Sequence, residues 1–415
     1  MRIEPETYLS RRRLSVLVPM LAAMLALASC GGGSGRETRV PGHTLTIYSS
    51  LPRHGVGARV GAAFAAGEQL ALADAHGHVG SRRVRLVDLD DSDPGGPIWS
   101  PSVVEENARR AVADPTTIAY IGELDLGGSA VSVPVTNDSN VLQVSPGDGL
   151  TSLTRSDPGG STASGPERYY PSDRRTFLRL VPTDRLQAQT LVAWALQQGA
   201  TRLAVVQDER LFSHELAAEA VVAAARAHLA VVGVADAKDD PTSYPGLAVA
   251  VAQMKPDAVL YTGVGAPATG GLLDAIRAAL PHAHLYASSA LATASPPPAE
   301  LAASVDVVKP ALPASRYPPD GRRVLARLGA ELGAPVAAEA LYGYEAMEVV
   351  LDAIRRAGRA GNDRVAVARM ALVPRTRRSV LGTYSLTAGG DTSTTDFGAY
   401  TLSGGGLAFQ GVRGP

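Results

Sequence analysis

The stretch Tyr120–Gly149, YIGELDLGGSAVSVPVTNDSNVLQVSPGDG, decides the fold. It begins inside an apolar run, Ile118–Ile121, that is short and closed by Gly122, which predicts a buried strand. Gly127, Gly128 and Ser129 lead into a short amphipathic segment with Ala130, Val133 and Val135 to bury. Ser129 is the expected helix cap. Val141, Leu142 and Val144 predict a second strand, ended by Ser145-Pro146-Gly147. Strand, crossover helix and parallel strand form a βαβ unit, and ligands of open parallel sheets lie beyond the carboxyl ends of the strands. The turns at 123–129 and 145–149 are therefore expected to face one crevice.

The flanks extend the same rhythm. Toward the N-terminus, Leu45–Tyr48 predicts a strand, Ser49–Pro52 its exit turn, 57–75 a helix and Val84–Val87 a strand running into Asp88-Leu89-Asp90-Asp91-Ser92-Asp93. A helix is expected over 102–113. Residues 151–172, rich in Ser, Gly and Pro and without an apolar period, predict a surface loop. From Phe177 the chain restarts, with strands at 203–206, 230–234, 256–261 and 305–308 and helices at 187–198, 212–228, 244–254, 322–332 and 337–356. Ser379–Phe409 predicts one hairpin with glycine turns at 389 and 404–406. Alternation of this kind gives an α/β chain of doubly wound lobes.

Several segments together resemble one family, the type I solute-binding proteins of ABC importers, in the leucine/isoleucine/valine-binding branch. They are the IG turn with its proline-containing helix and SPG exit, the SxP turn after the first strand, Phe177–Asp184 (FLRLVPTD), Pro256–Tyr261 (PDAVLY) and Tyr342–Met347 (YGYEAM). The resemblance spans about 44–412 and implies two Rossmann-like lobes joined by three crossover segments. The first lobe is expected at 44–182 plus 309–378 and the second at 183–308 plus 379–415. It also implies hinge closure on a small-molecule ligand, which is handed to a permease without chemistry. An enlarged loop on the rim of the crevice falls at 151–172, expected as a passive insertion rather than a lid.

The N-terminus reads as an export signal. Arg11-Arg12-Arg13 precedes an apolar run, Leu14–Ala28, too short for a comfortable membrane span. Leu27-Ala28-Ser29-Cys30 resembles a bacterial lipobox, which makes residues 1–29 a signal peptide and Cys30, the sole cysteine of the 415 residues, a lipid-anchoring site at the outer face of the cytoplasmic membrane. Residues 30–43, beginning GGGSG, then form a flexible tether. Removing residues 1–29 takes the formal net charge from −1 to −3, a balance that does not call for nucleic acid.

Other chemistries are weighed and set aside. Four aspartates within Asp88–Asp93 offer oxygen ligands but lack the glycine and closing glutamate of a calcium loop. The pairs His76/His78 and His282/His284 are expected in solvent rather than on a metal. Gly263-Val264-Gly265-Ala266-Pro267-Ala268 has the form of a dinucleotide turn, yet no acidic residue ends the next strand, so no cofactor is expected. Nucleophile elbows, HExxH and P-loops are absent, which argues against an enzyme.

Carried over through the resemblance, the ligand-binding positions are Ser50, Arg53, Asp125, Leu126, Ser145, Asp148, Gly149, Phe212, Val264 and Ser289. The family's hydroxyl-bearing turn positions fall here on Asp125, Leu126, Asp148 and Gly149, its pocket tyrosines on Phe212 and Val264, and its ammonium-binding glutamate on Ser289. Two carboxylates where a ligand carboxylate would sit should repel it. The expected solute is thus not a standard α-amino acid but a neutral or cationic molecule. The alternative is a sensing or protein-binding lipoprotein with a degenerate pocket.

Overall fold

The computed structural model describes residues 38–93, 99–124, 126–156, 165–265, 268–293, 301–404 and 406–415. The signal segment, Cys30, most of the tether and Asp125 lie outside the described residues. Among those described, no helix is long and apolar enough to cross a membrane.

The first lobe is built on a six-stranded sheet in the order β2-β3-β1-β4-β5-β6. Its strands are β1 (Thr44–Leu51), β2 (His78–Val79), β3 (Arg82–Asp90), β4 (Thr117–Ile121), β5 (Leu142–Ser145) and β6 (Phe177–Arg179). All pairings are parallel except β2 with β3. Helices α1 (Ala58–Asp74), α2 (Pro101–Ala113) and α3 (Ser129–Asp138) cover it. β1 and β4 lie at the centre of the sheet and are buried almost throughout; β4 reads as an apolar run, whereas β1 buries Thr46, Ser49 and Ser50 among its apolar residues.

The second lobe follows as α4 (Asp184–Gln197), β7 (Arg202–Gln207), α5 (Leu211–Arg226), β8 (Ala230–Asp236), α6 (Tyr244–Gln253), β9 (Ala258–Tyr261), α7 (Thr269–Ala279), β10 (His284–Ala287), α8 (Ser289–Thr293) and β11 (Val305–Lys309). The chain then returns to the first lobe, where α9 (Pro319–Leu332), α10 (Ala340–Ala357) and α11 (Arg364–Ala371) pack against α1, β4 and β5. A small hairpin, β12 (Arg375–Ser379) with β13 (Gly382–Leu386), bonds to α10 through Arg377 and Tyr384, both on Glu345. A third crossing leads to β14 (Phe397–Ser403) and β15 (Gly406–Arg413), which complete a seven-stranded sheet ordered β15-β14-β11-β10-β9-β7-β8.

Four expectations are corrected. Ser379–Phe409 is not one hairpin: β12–β13 and β14–β15 are separate antiparallel pairs. The expected exit turn Ser49–Pro52 is mostly strand, because β1 stays paired with β3 as far as Leu51. Ser129 is the first helical residue of α3 and makes no side-chain cap bond; its hydroxyl instead accepts from the Glu123 amide at 3.2 Å. Residues 151–172 are not merely a surface loop: their described parts, 151–156 and 165–172, with Leu150 before them, carry a small core. There Leu150, Leu153, Tyr169 and Tyr170 pack on Val133 and Phe177, an apolar set spaced too irregularly to show as a period.

The first lobe depends on a close seam between α1 and α10. A Cβ on Gly67 would lie 1.9 Å from the carbonyl oxygen of Ala340, and one on Gly343 would lie 2.0 Å from that of Phe64. Each helix thus meets the other's backbone at a glycine. Gly67→Ala is expected to cost about 2 kcal/mol or more, seen as a lower urea midpoint, because backbone must move to admit the methyl. Gly246→Ala, in α6 with nothing within 4 Å of the new methyl, should leave the midpoint unchanged or raise it.

Candidate ligand-binding cleft

In doubly wound sheets the crevice opens where neighbouring strands send their connections to opposite faces. The first sheet has such a point between β1 and β4, the second between β7 and β9. A cavity of about 580 Å3 lies beside these points, between the connections that leave β3 and β4 and those that leave β7 and β9. Leu126 and Gly127, after β4, and Ala130 and Val131, on α3, form the first-lobe wall together with Asp93, Trp99 and Pro101 from the β3–α2 connection. Arg210, Leu211 and Val264 face them from the second lobe, and Arg168 and Tyr169 enter from the 150–170 segment.

Glycine shapes this wall for a steric reason. A Cβ on Gly128 would sit 2.9 Å from both Cβ and Cγ of Glu123, so glycine is needed to let the Glu123 side chain pass, while Trp99 at 3.6 Å is in ordinary contact. A Cβ on Gly127 would approach Leu150 and reach 4.0 Å from Phe212 Cβ. The two lobes therefore already touch at this loop.

The residues expected from sequence separate into three groups. Leu126 and Val264 line the cavity. Phe212 does not: it is fully buried behind Gly127, as the core face of α5 requires. Ser50 lies beneath the cleft, its hydroxyl 3.4 Å from Asp91 Oδ2 and accepting from Asn107 at 3.1 Å. Arg53 pairs with Asp88 at 3.3 Å, and its amide is held by Asp90 and Ser92. The Ser145 hydroxyl donates to the Glu123 carbonyl and accepts from the amides of Gly147 and Asp148, organising its own turn. Gly149 passes so close to the next crossing that a Cβ would lie 2.6 Å from Asp184 Oδ1. The Ser289 amide donates to Gln187 at 2.6 Å. Asp125 lies outside the described residues.

Asp148 is the main correction. Its side chain is fully buried, with Oδ2 accepting from the Ser129 amide at 2.9 Å and Oδ1 from the Leu150 amide at 3.0 Å. It caps backbone at the start of α3 and of the 150–170 segment, and it offers no charge to the cleft. The repulsion argument for a neutral or cationic solute therefore loses Asp148.

Sequence reasoning missed Trp99, Arg168, Tyr169 and Arg210. A signal existed for some of them. Trp99 is one of only two tryptophans, and Arg168-Tyr169-Tyr170 is an aromatic cluster inside an otherwise polar stretch.

Under the cleft floor sit carboxyl groups that burial drives toward their neutral forms. Glu68 is pushed up to about 8 by burial, with Ser49 and Arg53 offsetting part of the effect. Asp91 is pushed up to about 6 by burial, and Glu123 is raised well above the usual carboxylate range by burial and by the neighbouring Asp91 charge. The Tyr120 hydroxyl donates to Glu123 at 2.8 Å. Beside them, the buried Arg179 guanidinium reaches the Asp148 carbonyl at 3.0 Å, Thr154 Oγ1 at 3.1 Å and Asp391 Oδ1 at 3.3 Å. No group of three or more metal-binding side chains occurs among the described residues.

Two α/β lobes with one cleft at both switch points define the architecture of a solute-binding protein with the type I periplasmic binding fold. The sequence matches the model of the periplasmic binding protein family over residues 44–397, and the chain belongs to that family. Among solved structures it is similar to a leucine-binding protein of Thermotoga maritima, at 21% identity and TM-score 0.73, covering 89% of this chain and 99% of that one. An ABC-transporter solute-binding protein of R. palustris in complex with benzoate gives 17% identity and TM-score 0.70, with 90% and 97% covered. The branched-chain amino acid transporter substrate-binding protein of Streptococcus pneumoniae, in complex with isoleucine, gives 16% and 0.69, with 90% and 100% covered. No curated protein matches the sequence.

Two outcomes follow from the buried groups. Arg179→Met should cost about 1–3 kcal/mol in chemical unfolding, because the buried Asp148 carbonyl loses its donor and Asp391 is left with Arg155 and Thr154 alone. For Glu68 the raised folded value means that the unfolded chain ionises first. Stability therefore falls as pH rises from about 4.5 to about 8. Urea unfolding at pH 5 and pH 8.5 should show that loss in the parent, on the order of a few kcal/mol, and a smaller one in Glu68→Gln.

Proposed function

We propose that the chain is an exported solute-binding lipoprotein, anchored through Cys30, that closes its lobes on a small molecule in the 580 Å3 cavity and presents it to an ABC permease. The observation that carries this reading is the cavity itself, bounded by both lobes at their switch points and of the size that small ligands occupy. The reading is one of capture without turnover, which its membership of the periplasmic binding protein family supports.

The solute has an apolar body and is not a standard α-amino acid. Trp99, Leu126, Ala130, Val131, Leu211 and Val264 supply an apolar surface. The position that would hold an α-ammonium is Ser289, whose amide is engaged with Gln187, and Phe212 and Val264 bring no hydroxyl. The relatives' solutes, leucine, isoleucine and benzoate, share an apolar body, which supports the same feature here.

Trp99 provides the test. With Trp194, buried in the second lobe, replaced by Phe, the remaining indole reports on the cavity. A panel of amino acids, amines, amides, polyols and organic acids is expected to contain a compound that shifts Trp99 emission and, at 100 times its dissociation constant, adds about 2.7 kcal/mol of stability. The melting point should then rise by a few degrees. Saturable binding of leucine with no response from any other class would refute the solute assignment, and silence across the panel would refute solute capture.

A further inference from the structure

We infer that the solute is a planar monocarboxylate, held by two guanidinium groups that line the cavity. The inference rests on the solute-binding reading above and names its substrate class. Arg168 enters from the 150–170 segment and Arg210 from the start of α5.

The hydrogen-bond inventory of the two arginines carries the argument. A guanidinium has five N–H donors and no acceptor. Arg168 uses only Nη2, toward Tyr169 Oη at 2.6 Å, Ser152 Oγ at 3.2 Å and Glu215 at 3.4 Å. Arg210 uses only Nη1, toward Asp208 Oδ2 at 2.8 Å. Among the described residues, Nε and Nη1 of Arg168 and Nε and Nη2 of Arg210 have no protein acceptor. Each acidic partner fixes one edge of its arginine and leaves the other edge open to the cavity.

A second feature of the same wall favours an anion. α3 and α5 both begin at the cleft, but their amino ends are treated differently. The Ser129 amide of α3 is answered by the Asp148 carboxylate, whereas α5 has no side-chain cap and Leu211, its first residue, lines the cavity. The partial positive charge at the start of this 16-residue helix adds to the Arg210 field. Asp93 is the one carboxylate among the described lining residues. A carboxylate placed between the arginines would accept charge-assisted, in-plane bonds of the kind guanidinium groups make best.

Planarity follows from the remaining walls. Trp99 is the aromatic face of the cavity, with Leu126 and Val264 beside it, while the buried Tyr169 ring lies under the Arg168 guanidinium at 4.6 Å and holds it in place. A flat apolar body can stack against the indole while its carboxylate reaches the arginines. An α-ammonium on the same molecule would meet guanidinium groups rather than an acceptor.

Calorimetry with four probes of similar size tests the inference: benzoate, benzamide, benzylamine and leucine. Benzoate is expected to bind at least about tenfold more tightly than benzamide, with benzylamine weaker than both. Arg168→Gln and Arg210→Gln should each weaken benzoate at least about tenfold while leaving benzamide nearly unchanged, so that benzamide binding reports that each variant keeps its cavity. Equal affinity for benzoate and benzamide, or benzoate binding indifferent to both substitutions, would overturn the inference.

Val131→Trp, which fills the cavity, separates this failure from that of the broader reading. If a panel compound other than a carboxylate binds the parent and is lost in Val131→Trp, solute capture stands and the carboxylate assignment falls. If nothing binds the parent, both fall.

Discussion

One buried guanidinium ties the cleft to the rest of the molecule. Arg179 ends β6, where the chain leaves the first lobe, and its side chain has no exposure. It bonds the Asp148 carbonyl in the turn after β5, Thr154 in the 150–170 segment and Asp391 in the third crossing, which Arg155 and Thr154 also bond. A charge is costly to bury, so it is tolerated only where every partner is held in place. That requirement works in both directions. The turn, the segment and the crossing are fixed relative to each other because each supplies part of the site that Arg179 needs, and the loop bearing Tyr169 inherits that order.

The sequence made the sheet strands and the doubly wound rhythm legible, since strands such as Thr117–Ile121 and Ala258–Tyr261 are buried on both faces and leave an unmistakable apolar run. Hydrogen-bond destinations were not legible. Asp148 stands where a ligand-facing residue would be, and only the positions of the Ser129 and Leu150 amides show that both carboxylate oxygens are taken by backbone. Phe212 fails for the converse reason, because one step of helical phase turns it from the cavity to the core while Leu211 takes its place. α11 was missed altogether. Its eight residues, RVAVARMA, are too few to establish a period, and its stability comes from Asp363, which caps the Ala366 amide, and from Arg364, which reaches the Thr117 carbonyl.

The family pattern explains the scaffold better than the site. Segments that match it, such as Phe177–Asp184 and Tyr342–Met347, serve crossings and helix packing, where backbone geometry leaves few choices: Gly343 must admit the Phe64 carbonyl, and Arg179 must meet three acceptors. Cavity-lining positions are freer. Of the positions expected from the resemblance, Leu126 and Val264 line the cavity, and the charged lining comes from Asp93, Arg168 and Arg210, none of which the resemblance singled out. Identity near 20% with a shared fold is the expected result when packing is constrained and the wall is not.

The 150–170 segment is more than a passive insertion because it is bonded on both sides of the cleft. On the first-lobe side it packs Leu150, Leu153, Tyr169 and Tyr170 against Val133 and Phe177. Toward the second lobe, Ser152 donates to Glu215 on α5 at 2.7 Å, Thr151 Oγ1 accepts the Arg185 amide of α4 at 3.0 Å, and Arg185 reaches the Ser156 carbonyl at 2.9 Å. Separating the lobes requires these bonds to break or the segment to travel with the second lobe. A ligand shifts such an equilibrium only by contacts that differ between the two arrangements. Arg168 provides one, since it sits on this segment, bonds Glu215 of the other lobe and faces the cavity. The segment that bonds both lobes therefore also lines the cavity, and on the proposed reading ligand affinity and lobe closure would draw on the same few hydrogen bonds.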